Sequence, residues 1–195
     1  MARTLEIMAE RPAGLVYEPE FLSVEAERAL LDVLAGLDFQ RIEMHGQVAR
    51  RSALHYGVDY DYANPGRSGA GEPFPDWLLP HRDRAAELAG VEADELVEGL
   101  VQRYPPRATI GWHRDAPMFG KVVGLSLGAA ARMRFRDPRG DRRDVFEVVL
   151  EPRSAYVLAG AARWQTQHSI PAVKKERYSI TFRTLRTARN PPSAE

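Results

Sequence analysis

Three residues of this chain have side chains suited to binding one metal ion. His113 and Asp115 stand two positions apart in the string GWHRD, and His168 follows far along the chain in QTQHSI. If GWHRD enters a strand, the side chains of His113 and Asp115 leave it on the same face and can converge. Two histidines and one carboxylate on one side of an ion leave coordination positions open, as Fe(II) requires when it activates O2 beside a chelating substrate.

The H-x-D spacing alone is a weak signal. It is frequent by chance, and a single histidine in a strand is more often a hydrogen-bonded core or surface residue, which applies equally to His45, His55 and His81. The chain has no cysteine, which excludes disulfides, a zinc-thiolate site and a cysteine nucleophile. Any metal must therefore be held by nitrogen and oxygen ligands.

The C-terminal string RYSITFR, residues 177–183, supplies a second pattern. On a strand its alternate side chains share a face, so two arginines and two hydroxyls stand opposite three apolar residues. The polar face comprises Arg177, Ser179, Thr181 and Arg183, and the apolar face comprises Tyr178, Ile180 and Phe182. If the polar face meets solvent, the string is an ordinary amphipathic strand. If it faces the interior, its arginines require buried anions, and a dicarboxylate cofactor would supply them.

Two helices are predicted in the N-terminal part of the chain, after a short strand and turn over residues 14–21. The first follows Ser23 as its N-cap, with apolar residues at helical spacing. These are Ala26, Ala29, Leu30, Val33, Leu34 and Leu37. The second runs from about Trp77 to Leu88 and ends at Gly90, with Pro80 confining its regular part to the residues after it. Residues 41–75 between the helices lack a long period, which is typical of a mobile lid.

After Leu96 the sequence consists of short strings rich in β-branched, aromatic and apolar residues. They read VEGLVQRY, TIGWHRD, KVVGLSLG, ARMRFRD, VFEVVLEP, SAYVLAG and RYSITFRTL. Their even spacing is typical of an antiparallel sandwich or barrel. We therefore expect an α+β chain with a mainly β, jelly-roll-like core, followed by a flexible polar tail over residues 187–195.

Composition favours one globular domain over residues 1–195. The chain is 44% hydrophobic, and its 27 Lys and Arg residues balance 27 Asp and Glu, so the net charge is zero. This balance differs from the excess of basic residues that binding to a phosphate backbone usually requires. No apolar leader and no stretch of roughly 20 apolar residues is present, so we expect a cytoplasmic monomer that does not enter a membrane.

The strings QRYPPRATIGWHRD, LSLG, HSIP and RYSITFR, in this order after GLVYEPEFLS, resemble the AlkB-type Fe(II)/2-oxoglutarate dioxygenases over residues 13–186. The resemblance implies a double-stranded β-helix over residues 96–186. It also implies that residues 13–95 form N-terminal helices and a substrate lid. Three residues, His113, Asp115 and His168, match the family's metal ligands.

The resemblance also implies a cofactor pocket for 2-oxoglutarate. Tyr104 matches a family contact to this co-substrate, and Gln102 takes the place of an asparagine two residues before it. Arg177 matches the arginine that pairs with the distal carboxylate of 2-oxoglutarate. Arg183 matches the second arginine of the pocket, and Ser179 replaces the usual asparagine between them.

By the same resemblance, Fe(II), 2-oxoglutarate and O2 would hydroxylate N-alkyl groups on bases of DNA, and also of RNA. The products would be an aldehyde, succinate and CO2. A flipped base would stack on aromatic residues, while basic residues bind the phosphates. The candidate substrate contacts are Arg50, Arg51, Tyr56, Tyr60 and Tyr62 in the lid and Met118 after H-x-D. Packing of the lid against the core would explain the tyrosines equally well.

Six arginines could form a basic ridge for the same polymer. They are Arg132, Arg134 and Arg136 at alternate positions of one string and Arg139, Arg142 and Arg143 in the turn after it. The alternative is a solvated hairpin, because Asp137, Asp141 and Asp144 are interleaved with them.

Two other functions remain open. A hydroxylase or demethylase of a protein or small molecule is favoured by the zero net charge and by the apolar Ala116–Gly120 string after H-x-D, where several repair enzymes carry acidic residues. A non-catalytic β-barrel binding module is the other alternative, and it predicts that neither iron nor 2-oxoglutarate binds.

Overall fold

The computed structural model describes residues 10–44, 47–60, 68–141 and 143–186. The N-terminal elements are β1 (Leu15–Glu18), α1 (Val24–Ala35), β2 (Gln40–Met44), β3 (Gln47–Tyr60), β4 (Ser68–Ala70), α2 (Leu79–Ala89) and a 3-10 turn (Ala93–Glu95). The later elements are β5 (Leu96–Tyr104), β6 (Ile110–His113), β7 (Phe119–Leu127), β8 (Ala131–Arg136), β9 (Phe146–Leu150), β10 (Ser154–Leu158), α3 (Gly160–Trp164), β11 (Gln167–Ile170) and β12 (Arg177–Leu185).

The strands form two antiparallel sheets. The major sheet has the order β1-β10-β7-β12-β5-β3-β2, with β4 paired to β3, and the minor sheet has the order β6-β11-β8-β9. Strands far apart in sequence are neighbours in both sheets, as in a jelly roll. The predicted β-rich core is therefore confirmed, and each of its predicted strings contains a strand.

Helices α1 and α2 cover the outer face of the major sheet. One apolar cluster joins Leu30 and Leu34 of α1 and Ala85 of α2 to Ile180 and Phe182 of β12. A second cluster, which includes Val122, Met133, Phe135 and Leu158, fills part of the space between the two sheets. None of the described helices is long and apolar enough to cross a membrane.

Both predicted helices are present, with two differences in detail. The Ser23 side chain accepts a hydrogen bond from the Ala26 N–H at 3.1 Å, as expected of an N-cap. Ala29 and Val33 of α1 are nevertheless exposed, so the buried face is narrower than predicted. Helix α2 includes Pro80 in its first turn, where the missing N–H has no helical partner to lose.

The expectation that residues 41–75 lack long regular structure is wrong for much of this segment, whereas its role as a lid stays a prediction. Strand β3 is 14 residues long and pairs with β5 in the major sheet, from Ser52 opposite Arg103 to Gly57 opposite Glu98. The sequence lacks a clean alternation here because both faces of β3 are covered. Leu54 and Tyr56 pack on the helix side of the sheet, while Arg51 and His55 face the space between the sheets.

Strand β12 lies between β5 and β7 in the major sheet and is buried along residues 177–184. Its apolar face packs against the helices. Ser179, Thr181 and Arg183 on its other face line a cavity between the sheets. The interior alternative for RYSITFR is therefore the one that the structure adopts.

Gly57 has a left-handed backbone conformation at the point where the pairing of β3 with β5 ends. Its φ is +80°, and a Cβ here would stand 2.0 Å from the Val97 carbonyl oxygen. We expect Gly57→Ala to lower the free energy of unfolding by about 1–3 kcal/mol, because the backbone must move to relieve this contact. Urea denaturation measures the change. Gly140→Ala is the matched control, because its φ is not positive and its nearest neighbour would be Asp137 Cβ at 3.5 Å. Equal stability of the two variants would contradict this account.

Candidate active site

The minor sheet brings the two predicted histidine ligands together. His168 on β11 is the cross-strand partner of His113 on β6, and their ring centroids are 4.3 Å apart. Asp115 follows two residues after the end of β6, and its Oδ2 lies 3.6 Å from His168 Nε2. Three side chains from two distant parts of the sequence thus meet at one point.

Burial keeps both imidazoles neutral. Loss of hydration lowers the pKa of His168 from 6.5 to about 3, and it also lowers the pKa of His113. The ring nitrogen Nδ1 of His113 lies 2.9 Å from the Gly111 carbonyl oxygen, which can only accept, so Nδ1 carries the proton. Its Nε2 lone pair is then available to a metal, as in metal sites where the second ring nitrogen is held by a carbonyl.

Asp115 is ionised and oriented by Arg183. Burial by itself would raise the pKa of the Asp115 carboxyl, but the charged guanidinium of Arg183 holds it well below its usual range. Arg183 donates from Nε and Nη2 to Asp115 Oδ1 at 2.9 and 2.7 Å. Its Nη1 donates to both oxygens of Glu98, at 2.8 and 2.7 Å. One guanidinium therefore bridges two buried carboxylates and leaves Asp115 Oδ2 turned towards His168.

The donor set fits Fe(II), with two neutral imidazole nitrogens and one carboxylate oxygen. Within the described part of the chain, no three His, Cys, Asp or Glu side chains already meet the geometry of a metal cage. His113, Asp115 and His168 lie close together and would have to converge further on an ion.

Arg177 fits the distal carboxylate of 2-oxoglutarate. Its side chain is 0% exposed, and its Nε donates to Ser126 Oγ at 3.1 Å. Both terminal nitrogens, Nη1 and Nη2, are buried without a hydrogen-bond partner among the described residues. Because burying an unpaired guanidinium is costly, these two donors require an anion.

A cavity of about 730 Å³ between the sheets joins these groups, and its volume is typical of cofactor and small-molecule sites. The major sheet contributes Gln102, Tyr104, Tyr156, Ser179 and Thr181 to its wall, and the minor sheet contributes Trp112 and His168. Arg177 is not part of this wall. Its Cζ lies 5.1 Å from the ring of Tyr104, and Tyr104 does line the cavity. The predicted cofactor residues are thus grouped around one space.

Gln102 and Tyr104 are linked to each other. The Tyr104 hydroxyl donates to Gln102 Oε1 at 3.1 Å, and both side chains are buried. Ser179 is the cross-strand partner of both Gln102 on β5 and Ser126 on β7. These polar groups lie between Arg177 and Arg183 and form the floor of the cavity, by which we mean its wall on the major sheet.

The predicted substrate contacts separate into three groups. Arg50 and Arg51 line the cavity. Tyr56 and Met118 do not: Tyr56 points to the helix side of β3, where it meets Trp77 edge-on at 6.2 Å, and Met118 lies in the turn before β7. These positions count against a substrate role for both. The side chain of Tyr60 and all of Tyr62 lie outside the described residues.

The predicted basic ridge is largely neutralised. Arg132 pairs with Glu147, Arg139 with Asp137 and Arg143 with Asp141, at 3.6, 3.2 and 3.0 Å. Arg134 and Arg136 differ, since they donate to the neutral side chains of Ser169 and Gln167. Their guanidinium carbons lie 5.0 and 4.4 Å from the ring of Trp112. Arg142 lies outside the described residues.

Three residues that sequence reasoning missed support the site. Arg163 in α3 is 2% exposed and donates to the carbonyl oxygens of Ala116, Phe119 and Gly120, which fixes the loop after Asp115. Glu98 holds Arg183, and Tyr156 lines the cavity. The one available signal was Glu98, a single charge within the string LVEGLV.

A jelly roll that encloses two histidines, a carboxylate and a buried arginine is the architecture of a mononuclear iron oxygenase that uses a keto-acid co-substrate. The family model of the 2OG-Fe(II) oxygenase superfamily matches residues 14–186. The chain belongs to this superfamily of dioxygenases, which use Fe(II), 2-oxoglutarate and O2.

Two curated relatives carry related sequences. The chain is 27% identical over 168 residues to tRNA (carboxymethyluridine(34)-5-O)-methyltransferase alkbh8 of Xenopus tropicalis, a match covering 82% of this chain and 25% of that protein. It is 25% identical over 177 residues to ALKBH8 of Mus musculus, covering 82% and 24%. The chain therefore spans about a quarter of the length of these relatives.

Two solved structures share the fold. OsALKBH1 superposes with a TM-score of 0.66 at 16% identity, covering 90% of this chain and 98% of that one. A prolyl-4-hydroxylase of Pseudomonas putida superposes with a TM-score of 0.62 at 15% identity, covering 89% and 93%. At these identities the likeness concerns the fold alone.

The lowered pKa of His168 makes the metal-free protein sensitive to acid. Below about pH 6.5 His168 binds a proton in the unfolded chain but stays neutral in the folded protein. The free energy of unfolding therefore falls as the pH drops towards 3. We expect urea denaturation at pH 7.5 and 4.5 to give a stability difference on the order of a few kcal/mol, and His168→Asn to reduce it. An unchanged difference in His168→Asn would contradict this assignment.

Removing the Arg177 guanidinium should weaken binding of 2-oxoglutarate. Loss of charge-assisted hydrogen bonds worth about 2–3 kcal/mol predicts a roughly 30- to 150-fold higher Kd for Arg177→Met, measured by calorimetry on the Mn(II)-substituted protein. Arg153→Met is the matched control, because Arg153 pairs with Glu20 away from the cavity. A Kd that is the same in both variants would exclude Arg177 as the carboxylate partner.

Proposed function

We propose that this dioxygenase removes N-alkyl groups from bases of nucleic acid, in DNA and also in RNA. The observation that carries the proposal is the combination of basic and aromatic side chains at the cavity. Arg50, Arg51 and Trp112 line the same space as His113 and His168. A flipped base requires an aromatic surface to stack on, and its phosphates require cations.

Trp112 connects the cavity to the outer face of the minor sheet. It lines the cavity and also contacts the guanidinium groups of Arg134 and Arg136. Because these two arginines donate hydrogen bonds to the neutral side chains of Ser169 and Gln167, their charges remain suited to phosphate. An extended polyanion could therefore follow β8 while one base enters the cavity beside Trp112.

The relatives give independent support for a nucleic-acid substrate. Both are named as enzymes acting on carboxymethyluridine in tRNA. The name describes proteins about four times as long as the matched segment, so it supports the class of polymer and not the particular base or reaction.

The residues of the chain would divide the work of the reaction. His113, His168 and Asp115 would hold the metal, Arg183 would orient Asp115, and Arg177 would fix the distal end of 2-oxoglutarate. When bound, Fe(II), 2-oxoglutarate and O2 supply the oxidising power for hydroxylating an N-methyl group. The hydroxylated methyl is a hemiaminal, which breaks down to formaldehyde and the free nitrogen. Enclosure between the two sheets limits water around the reacting carbon.

The direct test is demethylation of defined oligonucleotides. The Fe(II)-loaded protein, with 2-oxoglutarate and air, should release formaldehyde from DNA or RNA carrying 1-methyladenine or 3-methylcytosine, with mass spectrometry showing loss of one methyl group. His168→Ala should abolish the reaction, whereas His81→Ala on α2 should retain it. Methyl groups that survive in every oligonucleotide, together with succinate release on a peptide or small molecule, would favour the hydroxylase alternative.

The salt dependence of binding tests the proposed path of the polymer. If Arg134 and Arg136 contact phosphates, the Arg134→Gln/Arg136→Gln double variant should lower the slope of log K against log salt by roughly 2. Fluorescence anisotropy with a labelled oligonucleotide measures the slope. Arg139→Gln/Arg143→Gln is the matched control of the same charge, since both arginines pair with aspartates. The same slope in wild type and in the Arg134/Arg136 variant would exclude this path.

A further inference from the structure

The hydroxyl of Tyr156 lies over the floor of the cavity, although Tyr156 belongs to a neighbouring strand. On β10 it is the cross-strand partner of Gly124 on β7, and Gly124 is in turn the partner of Thr181 on β12. A Cβ on Gly124 would stand 2.2 Å from Tyr156 Cζ and 2.4 Å from its hydroxyl oxygen. The ring therefore lies across Gly124 and extends from β10 towards β12, which a larger residue at 124 would prevent.

This position puts the Tyr156 hydroxyl over the same part of β7 that carries Ser126, the hydrogen-bond partner of Arg177. Gly124 and Ser126 lie on the same face of β7, two residues and roughly 7 Å apart along the strand. Arg177 Nε donates to Ser126 Oγ, while the hydroxyl of Tyr156 lies at Gly124. A carboxylate that receives Nη1 or Nη2 of Arg177 would thus have a phenol beside it.

Tyr156 has a proton to donate. Its side chain is 6% exposed and lines the cavity. Burial raises the pKa of Tyr156 to about 12, so the phenol stays protonated at neutral pH. The other tyrosine of the cavity, Tyr104, already donates its proton to Gln102 Oε1.

We propose that Tyr156 is a further binding residue for 2-oxoglutarate, donating a hydrogen bond from its hydroxyl to the distal carboxylate that Arg177 receives. The arrangement depends on the Tyr156–Gly124 pair, since the absence of a side chain at Gly124 leaves room for the Tyr156 ring above β7. The inference rests on Arg177 as the partner of the distal carboxylate, and the experiment therefore includes a variant of Arg177.

The test compares two keto acids by calorimetry on the Mn(II)-substituted protein, which does not turn over. One is 2-oxoglutarate and the other is 2-oxobutyrate, which keeps the keto-carboxylate end and lacks the distal carboxylate. Tyr156→Phe should weaken 2-oxoglutarate binding roughly tenfold and leave 2-oxobutyrate binding unchanged. Tyr17→Phe is the matched control, because Tyr17 is the cross-strand neighbour of Tyr156 on β1 and its hydroxyl accepts from the Glu151 N–H outside the cavity.

Each outcome decides the proposal. Selective loss of 2-oxoglutarate affinity in Tyr156→Phe, with melting temperature and Mn(II) affinity unchanged, supports it. Unchanged affinity for 2-oxoglutarate, or equal loss for both acids, overturns it. Arg177→Met tests separately whether Arg177 binds the distal carboxylate. Unchanged 2-oxoglutarate affinity in that variant would show that Arg177 does not bind it, and would not affect the assignment of the chain to the dioxygenases.

Discussion

The constraint on which the site depends is the burial of two permanently charged guanidinium groups on one strand. Arg177 and Arg183 stand on the same face of β12 and are 0% and 5% exposed. An arginine cannot shed its charge, so each must meet anions inside the protein. Arg183 meets Glu98 and Asp115. Arg177 keeps two buried donors that have no partner in the described part of the chain, and the second carboxylate of a dicarboxylic acid can satisfy them.

This constraint explains how the two sheets share the work. The major sheet buries β12 centrally and fixes both arginines relative to Tyr104 and Tyr156. The minor sheet pairs His113 with His168, and Arg183 reaches across the cavity to Asp115. The metal ligands and the cofactor floor therefore belong to different sheets, joined by one ion pair. Arg163 supports this junction from α3 by holding the loop that carries the chain from Asp115 into β7.

Much of this arrangement follows from local sequence patterns. The alternation in RYSITFR placed the arginines and hydroxyls on one face, because side chains on a strand repeat every two residues. The same two-residue repeat predicted that His113 and Asp115 share a face. The two side chains do lie together, although β6 ends at His113 and Asp115 follows it in a loop. The length and pairing of β3 were not predictable, since it is covered on both faces and its alternation is obscured by Arg50, Arg51 and Ser52. The single charge of Glu98 in LVEGLV marks it as unusual but does not identify its partner Arg183 on β12. No local pattern reveals the position of Tyr156.

The central claim is that one cavity holds a metal on His113, Asp115 and His168 and the distal carboxylate of 2-oxoglutarate on Arg177. A crystal structure with Mn(II) and 2-oxoglutarate, with the metal located by anomalous diffraction, tests it most directly. The account predicts one anomalous peak within coordinating distance of the three side chains and a carboxylate hydrogen-bonded to Nη1 or Nη2 of Arg177. A metal bound elsewhere, or a co-substrate that leaves both nitrogens without a partner, would contradict it.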